Sequence, residues 1–183
     1  GGLALSFPVV TQQERVRAVR ATLSHLIRLP NPQRLREIGD LHAQLGVQPP
    51  KESRNLMLDW DQVQRMRKGG VYFGSHTVSH LILSRVLPQE ARWEIFESKR
   101  HIEEQLQEPV RTFAYPNGTL GDYSPAIISL LKEAGYEAAV TTIFQTNDMG
   151  EDPYQLKRLR PWENHLPSFA AKLALYRMGW GLR

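Results

Sequence analysis

From Asp59 onward, helix-like and strand-like stretches alternate along the chain, and this alternation limits the fold more than any other feature. A helix opens at Leu58-Asp59, with Asp59 as its cap, and closes on Lys68-Gly69-Gly70. The apolar run Val71–Gly74 follows as a strand. Pro88 starts a long helix to about Leu106, and Val110–Tyr115 alternates as the next strand. Ser124-Pro125 opens a helix to Ala134-Gly135, Tyr136–Thr142 is a strand, and Leu156–Leu159 is a short last one. Ser168 caps a final helix to about Met178. Such an order predicts an α/β fold of parallel strands with helices outside, either an open sheet or an incomplete (β/α) barrel. Its sites belong at the carboxyl ends of the strands.

Two sequence punctuations fall at such ends. The first is Gly74-Ser75-His76-Thr77-Val78-Ser79-His80. Residues four apart share one face of a helical turn, so the two imidazoles converge on one point and suit a divalent metal, zinc above others. The second is Tyr115-Pro116-Asn117-Gly118, a strong turn signal.

The preceding stretch reads as two helices. Thr11 and Glu14 form a capping box for the first, Thr11–Leu29, with Val16, Val19, Leu23, Leu26 and Ile27 as its apolar stripe. Pro30-Asn31-Pro32 breaks it, and Gln33–Leu45 follows, with Leu35, Ile38, Leu41 and Leu45 inward and Gly46 at the exit. Val47–Asn55, with Pro49-Pro50, reads as a loop.

At 183 residues the chain suits one domain, divided into a helical insertion over 1–57, a motif-bearing region over 58–160 and a terminal helix over 161–183. Its net charge of +4 is spread along the chain, without the aromatic interleaving of a nucleic-acid platform. There is no cysteine, which excludes disulfides and thiolate metal sites. No apolar run has the length of a membrane span. The opening Gly1-Gly2-Leu3-Ala4-Leu5-Ser6-Phe7-Pro8 has no Met and reads as an interior stretch.

Taken in order, Gly74–His80, then Arg111-Thr112-Phe113-Ala114-Tyr115-Pro116-Asn117-Gly118, then Gly135–Thr141 resemble successive signatures of the NodB-homology polysaccharide deacetylases. The resemblance covers about Leu58 to Arg160. It implies a distorted (β/α) barrel, here missing its first strand or strands, and a metal-dependent hydrolase that removes acetyl groups from a polysaccharide. By that resemblance His76 and His80 are metal ligands, and the metal polarises the acetyl carbonyl and activates a water. The Tyr115 N–H stabilises the oxyanion, with Pro116 and Gly118 shaping its turn. Arg111 orients a catalytic carboxylate. His165 is the candidate general acid, and Tyr115, Pro116, Asn117 and Trp162 line the substrate. The partner is an acetylated polysaccharide or oligosaccharide, and the setting is the bacterial cell envelope or beyond it.

One departure matters. The family's paired aspartates, base and third metal ligand, have no counterpart among Asp59, Asp61, Asp122, Asp148 and Asp152. The expectation is therefore that the third ligand lies outside this chain, and that the stretch alone is inactive. A second reading is a non-catalytic carbohydrate-binding module of the same fold, holding sugar through Trp162, Tyr115 and Tyr123. A third is a docking domain, since an exposed sheet edge invites self-association.

Overall fold

The computed structural model describes residues 6–47, 57–159 and 164–179. The chain forms two compact units, Gly1–Leu58 and Asp59–Arg183.

The first unit is a pair of helices, α1 (Gln12–Leu26) and α2 (Asn31–Leu45). The capping box is present: Glu14 N–H donates to Thr11 Oγ1, and Thr11 N–H to Glu14 Oε2, at 3.2 and 2.8 Å. Gly46 closes α2 at φ +61°, a conformation that glycine adopts without a Cβ penalty. His25 Nε2 and Glu37 Oε2, 2.8 Å apart, tie the two helices together. The expected apolar stripe of α1 is not buried as a whole. Leu26 is, whereas Val19, Leu23 and Ile27 stay about half exposed. Leu35 and Leu45 of α2, expected inward, are 60% and 64% exposed. Periodicity marks a face able to be buried; it does not supply what covers it.

In the second unit, α3 (Trp60–Lys68) starts from Asp59, which exchanges hydrogen bonds with Gln62 in a second capping box. Two strands follow later, β1 (Thr112–Ala114) and β2 (Ala138–Val140), paired in parallel with Phe113 opposite Ala139. Single parallel bridges extend this pair on both sides, Ser75 to Phe113 and Val140 to Leu156. Four chain segments thus run side by side in the order 75, β1, β2, 156. The helices between them, α4 (Pro88–Leu106) and α5 (Pro125–Glu133), are those the sequence indicates, and α6 (Leu166–Arg177) lies after the last segment. Ser124 caps α5, whereas α6 begins two residues before Ser168, with His165 at its cap position.

The expected strand Val71–Gly74 is a correction. Among the described residues this run has no ladder, and only Ser75 pairs with β1. β-Propensity becomes a strand only where hydrogen-bonding partners exist along its length. Leu156–Leu159 is reduced to one bridge for the same reason.

The core is built where β1, β2, α4 and α5 meet. Phe113, Tyr115, Tyr136, Leu83, Ile95, Leu131 and Ala139 are all essentially inaccessible to solvent. Phe113 stands edge-on to both Tyr115 and Tyr136, and the buried Tyr136 hydroxyl donates to the Ile95 carbonyl at 3.1 Å. Leu131→Ala should therefore cost about 2–5 kcal/mol in urea unfolding. Leu35→Ala, at an exposed helix position, should stay within about 0.5 kcal/mol.

Candidate metal centre

The site begins where the first segment leaves the sheet. Ser75 N–H donates to the Thr112 carbonyl and the Ser75 carbonyl accepts from Ala114 N–H, both at 2.9 Å. Gly74 permits that approach, because a Cβ there would lie 2.6 Å from Thr112 Oγ1 and 3.0 Å from Thr112 O. The buried Ser75 hydroxyl lies 2.5 Å from that of Ser98 on α4. His76 is therefore the first residue beyond a fixed sheet edge.

His76 Nδ1 lies 2.6 Å from the Ala114 carbonyl. A carbonyl oxygen only accepts, so Nδ1 carries the proton and Nε2 keeps its lone pair. Backbone carbonyls commonly orient metal-binding histidines in this way. The His80 ring meets the His76 ring edge-on, with centroids 4.7 Å apart and planes at 83°. The sequence thus identifies the pair, but its helical reason is corrected. Residues 77–80 form a bend rather than a helical turn. Thr77 and His80 have φ of +67° and +56°. Left-handed conformations in non-glycine residues, β-branched ones above all, cost about 1–3 kcal/mol each and gather at functional sites.

Three hydrogen bonds hold this bend. His80 N–H donates to Thr77 Oγ1 at 3.0 Å. Val78 and Ser79 N–H both donate to Glu94 Oε2, at 2.7 and 2.9 Å. Glu94 is 1% exposed, on the inward face of α4. Sequence reasoning missed it because only apolar positions of that helix were read as inward. Its spacing from Ala91 and Ser98 was the available signal.

The His76 pKa lies below the ordinary imidazole range. Burial of part of the ring is the main cause, opposed by the Ala114 hydrogen bond and reinforced by positive charge on His80 and Arg158. Arg158 follows the Leu156 bridge, and its Nε donates to the Thr141 carbonyl at 2.5 Å. It lies in no motif, yet it is the arginine whose charge reaches His76.

The Tyr115–Gly118 turn occupies the neighbouring strand end. The Gly118 N–H donates to the Pro116 carbonyl at 2.7 Å, and its carbonyl accepts from Thr142 N–H at 2.9 Å. A Cβ on Gly118 would come within 2.9 Å of Thr142 N at φ +69°, so glycine is required there. Pro116 is buried, and Asn117, half-buried, is itself left-handed at φ +60°.

Several assigned roles change. The Tyr115 N–H donates to the Val140 carbonyl at 3.1 Å, so it is committed to the sheet rather than turned toward an oxyanion. The Tyr115 ring is buried, stacked on Tyr123 at 4.3 Å, with its hydroxyl donating to the Tyr154 carbonyl. It therefore packs the core instead of lining a substrate. Arg111 precedes β1, at the end opposite the histidines, and forms an exposed ion pair with Glu137 at 2.8 Å. His165 is exposed at the start of α6, 3.2 Å from Ser168 Oγ. Trp162 lies outside the described residues. Among the described residues, no group of three or more His, Asp or Glu side chains gathers to hold a metal.

Parallel segments joined by outer helices, with paired imidazoles at a carboxyl edge, define an α/β protein. The polysaccharide deacetylase family model matches residues 50–139. A putative polysaccharide deacetylase of Bacillus subtilis, YxkH, is 27% identical over 100 residues, covering 55% of this chain and 35% of its own length. Among solved structures, the Streptococcus pyogenes deacetylase PplD in complex with acetate superposes with a TM-score of 0.57 at 26% identity. That match covers 63% of this chain and 50% of PplD. The putative polysaccharide deacetylase BA0330 of Bacillus anthracis gives 0.54 at 25% identity, covering 62% of this chain and 36% of its own. Over residues 50–139 the chain is similar to the polysaccharide deacetylase family, and its described sheet and helices resemble part of a NodB-type fold. The chain spans about a third to a half of the length of these relatives.

The direction of the His76 shift has a consequence for stability. An imidazole that is harder to protonate when folded makes the unfolded state bind more protons, so stability falls as pH drops below about 6.5. Histidine-detected NMR should place the His76 midpoint below that value. His76→Ala should flatten the loss of stability between pH 6.5 and 5.

Proposed function

We propose that the protein of which this chain is part is a metal-dependent hydrolase that removes N- or O-linked acetyl groups from a polysaccharide, with His76 and His80 as two of its metal ligands. The observation that carries this reading is the bond from His76 Nδ1 to the Ala114 carbonyl. It leaves Nε2 as a donor beside the His80 ring, which is the ligand chemistry zinc takes. The donor set fits a divalent cation only in part, since a third, acidic ligand is not among the described residues. We expect that ligand from outside this chain. A cation bound there would supply Lewis acidity toward an acyl oxygen.

The chain's own residues then have definable tasks. His76 offers its Nε2 beside the His80 ring, and the depressed His76 pKa keeps its ring uncharged at neutral pH. Arg158 brings positive charge to the same rim and suits an anionic partner or developing negative charge. The rigid Pro116–Gly118 turn forms a wall one strand over. Arg111 and His165 are left out of the proposed site, given the partners described above. The carbohydrate-binding alternative loses support because Tyr115 and Tyr123, two of its three aromatics, are buried against each other.

Titration of the 183-residue chain with Zn²⁺ should show weak binding. His76→Ala or His80→Ala should weaken it at least about 10-fold further. The chain alone should not deacetylate N-acetylglucosamine oligomers, whereas a longer protein supplying the acidic ligand should. Unchanged affinity in both variants would remove the histidines from the reading. Robust turnover by the chain alone would refute the missing acid.

A further inference from the structure

Glu94 is a buried acidic residue to which the proposed chemistry gives no task. It is 1% exposed and sits one helical turn before Ser98 on the inward face of α4. Its Oε2 receives two consecutive amides, Val78 and Ser79, the residues between Thr77 and His80. Those flanking residues are the two left-handed ones of the bend. Consecutive N–H groups converge on one acceptor only when the backbone is curled around it, and such curls favour an anionic group at their centre. The same helix fixes the other side of His76 through the Ser98–Ser75 contact.

We propose that Glu94 is the positioning residue of the histidine pair. By accepting the Val78 and Ser79 amides it holds the curled backbone that brings the His80 ring against His76. This assignment rests on the reading of the pair as metal ligands, which gives the placement its purpose. Glu94 touches neither imidazole in this scheme and acts through the backbone between them. Its removal leaves two amides without their acceptor, and the strained Thr77 and His80 conformations then relax into the ordinary right-handed or extended regions.

The test uses the full 183-residue chain, metal-free first, in four variants. Glu94→Ala removes the acceptor. Glu94→Asp retains the carboxyl but draws it back by one methylene. Glu94→Gln retains an oxygen able to take the place of Oε2. Ser98→Ala loosens the same helix face without touching the amide pair. Amide exchange of Val78 and Ser79, relative to the core amides, should accelerate at least about 10-fold in Glu94→Ala and Glu94→Asp. In those two variants His76 should also lose its single Nδ1–H tautomer in imidazole ¹⁵N spectra. Glu94→Gln should stay within about threefold of the parent, and Ser98→Ala should match the parent in Val78 and Ser79 amide exchange. Zn²⁺ affinity should then fall about 10–100-fold in Glu94→Ala and Glu94→Asp. Parent-like exchange and tautomer in Glu94→Asp would overturn the proposal, whether or not Glu94→Ala folds. A parent chain that binds no zinc would sink the functional reading instead, while the metal-free measurements still decide what Glu94 does.

Discussion

The bond between His76 and the Ala114 carbonyl depends on the sheet register, and the rest of the site depends on that bond. Ser75 brackets Phe113 through two backbone hydrogen bonds, which fixes how far the first segment travels along β1. A slip of one residue would turn Ser75 away from Ser98 and carry the imidazole off the strand end. Gly74 makes the register feasible, because any side chain there would strike Thr112. The position of one ring nitrogen thus follows from a glycine, a serine pair and a single bridge.

Much of this organisation was legible beforehand, and the reasons are local. Thr11, Asp59 and Ser124 cap helices because their side chains accept N–H groups two or three residues on, and Pro88 begins one for lack of its own donor. Such signals need no tertiary context. His76 and His80 were legible as a pair, since four-residue spacing brings side chains together in more than one backbone conformation. Which conformation does so was not legible: left-handed Thr77 and His80 have no sequence signature of the kind a glycine gives. Glu94 escaped because a buried acid at the base of a loop answers to amides sixteen and fifteen residues away. Arg111 stands in a motif and Arg158 in none. Only the order of segments across the sheet shows which arginine reaches the histidine end. Tyr115 was read by its backbone and its aromatic face at once, and the sheet and the core had already taken both.

The strained bend invites comparison with the turn beside it. Asn117 and Gly118 are also left-handed, but asparagine and glycine accept that conformation at little cost. The Thr142 N–H and Oγ1 bind the Gly118 and Asn117 carbonyls and lock the turn from one side. The histidine bend has costlier residues and is held from beneath by α4 instead. Two neighbouring loops thus reach rigidity by different means, one by residue choice and one by a buried acceptor. In a loop of the second kind most of the curl is held from outside the loop, with Thr77 Oγ1 the loop's own contribution through the His80 amide.

Charge gives the last constraint. Parallel segments place every carboxyl end on one rim, so His76 from the first, the Pro116 turn from β1, Thr141 from the end of β2 and Arg158 from the fourth stand along a common edge. The Arg158 guanidinium beside the two imidazoles already makes this rim positive. Adding a divalent cation would raise that charge further, and among the described residues no group of three or more His, Asp or Glu side chains gathers to offset it. Charges left unpaired in a partly buried setting are costly, which is why such centres carry carboxylates. The same positive rim that disfavours protonation of His76 would draw in an anionic ligand and hold its carboxylate ionised. A carboxylate would therefore offset the charge that a bound cation adds to this rim, independently of any motif.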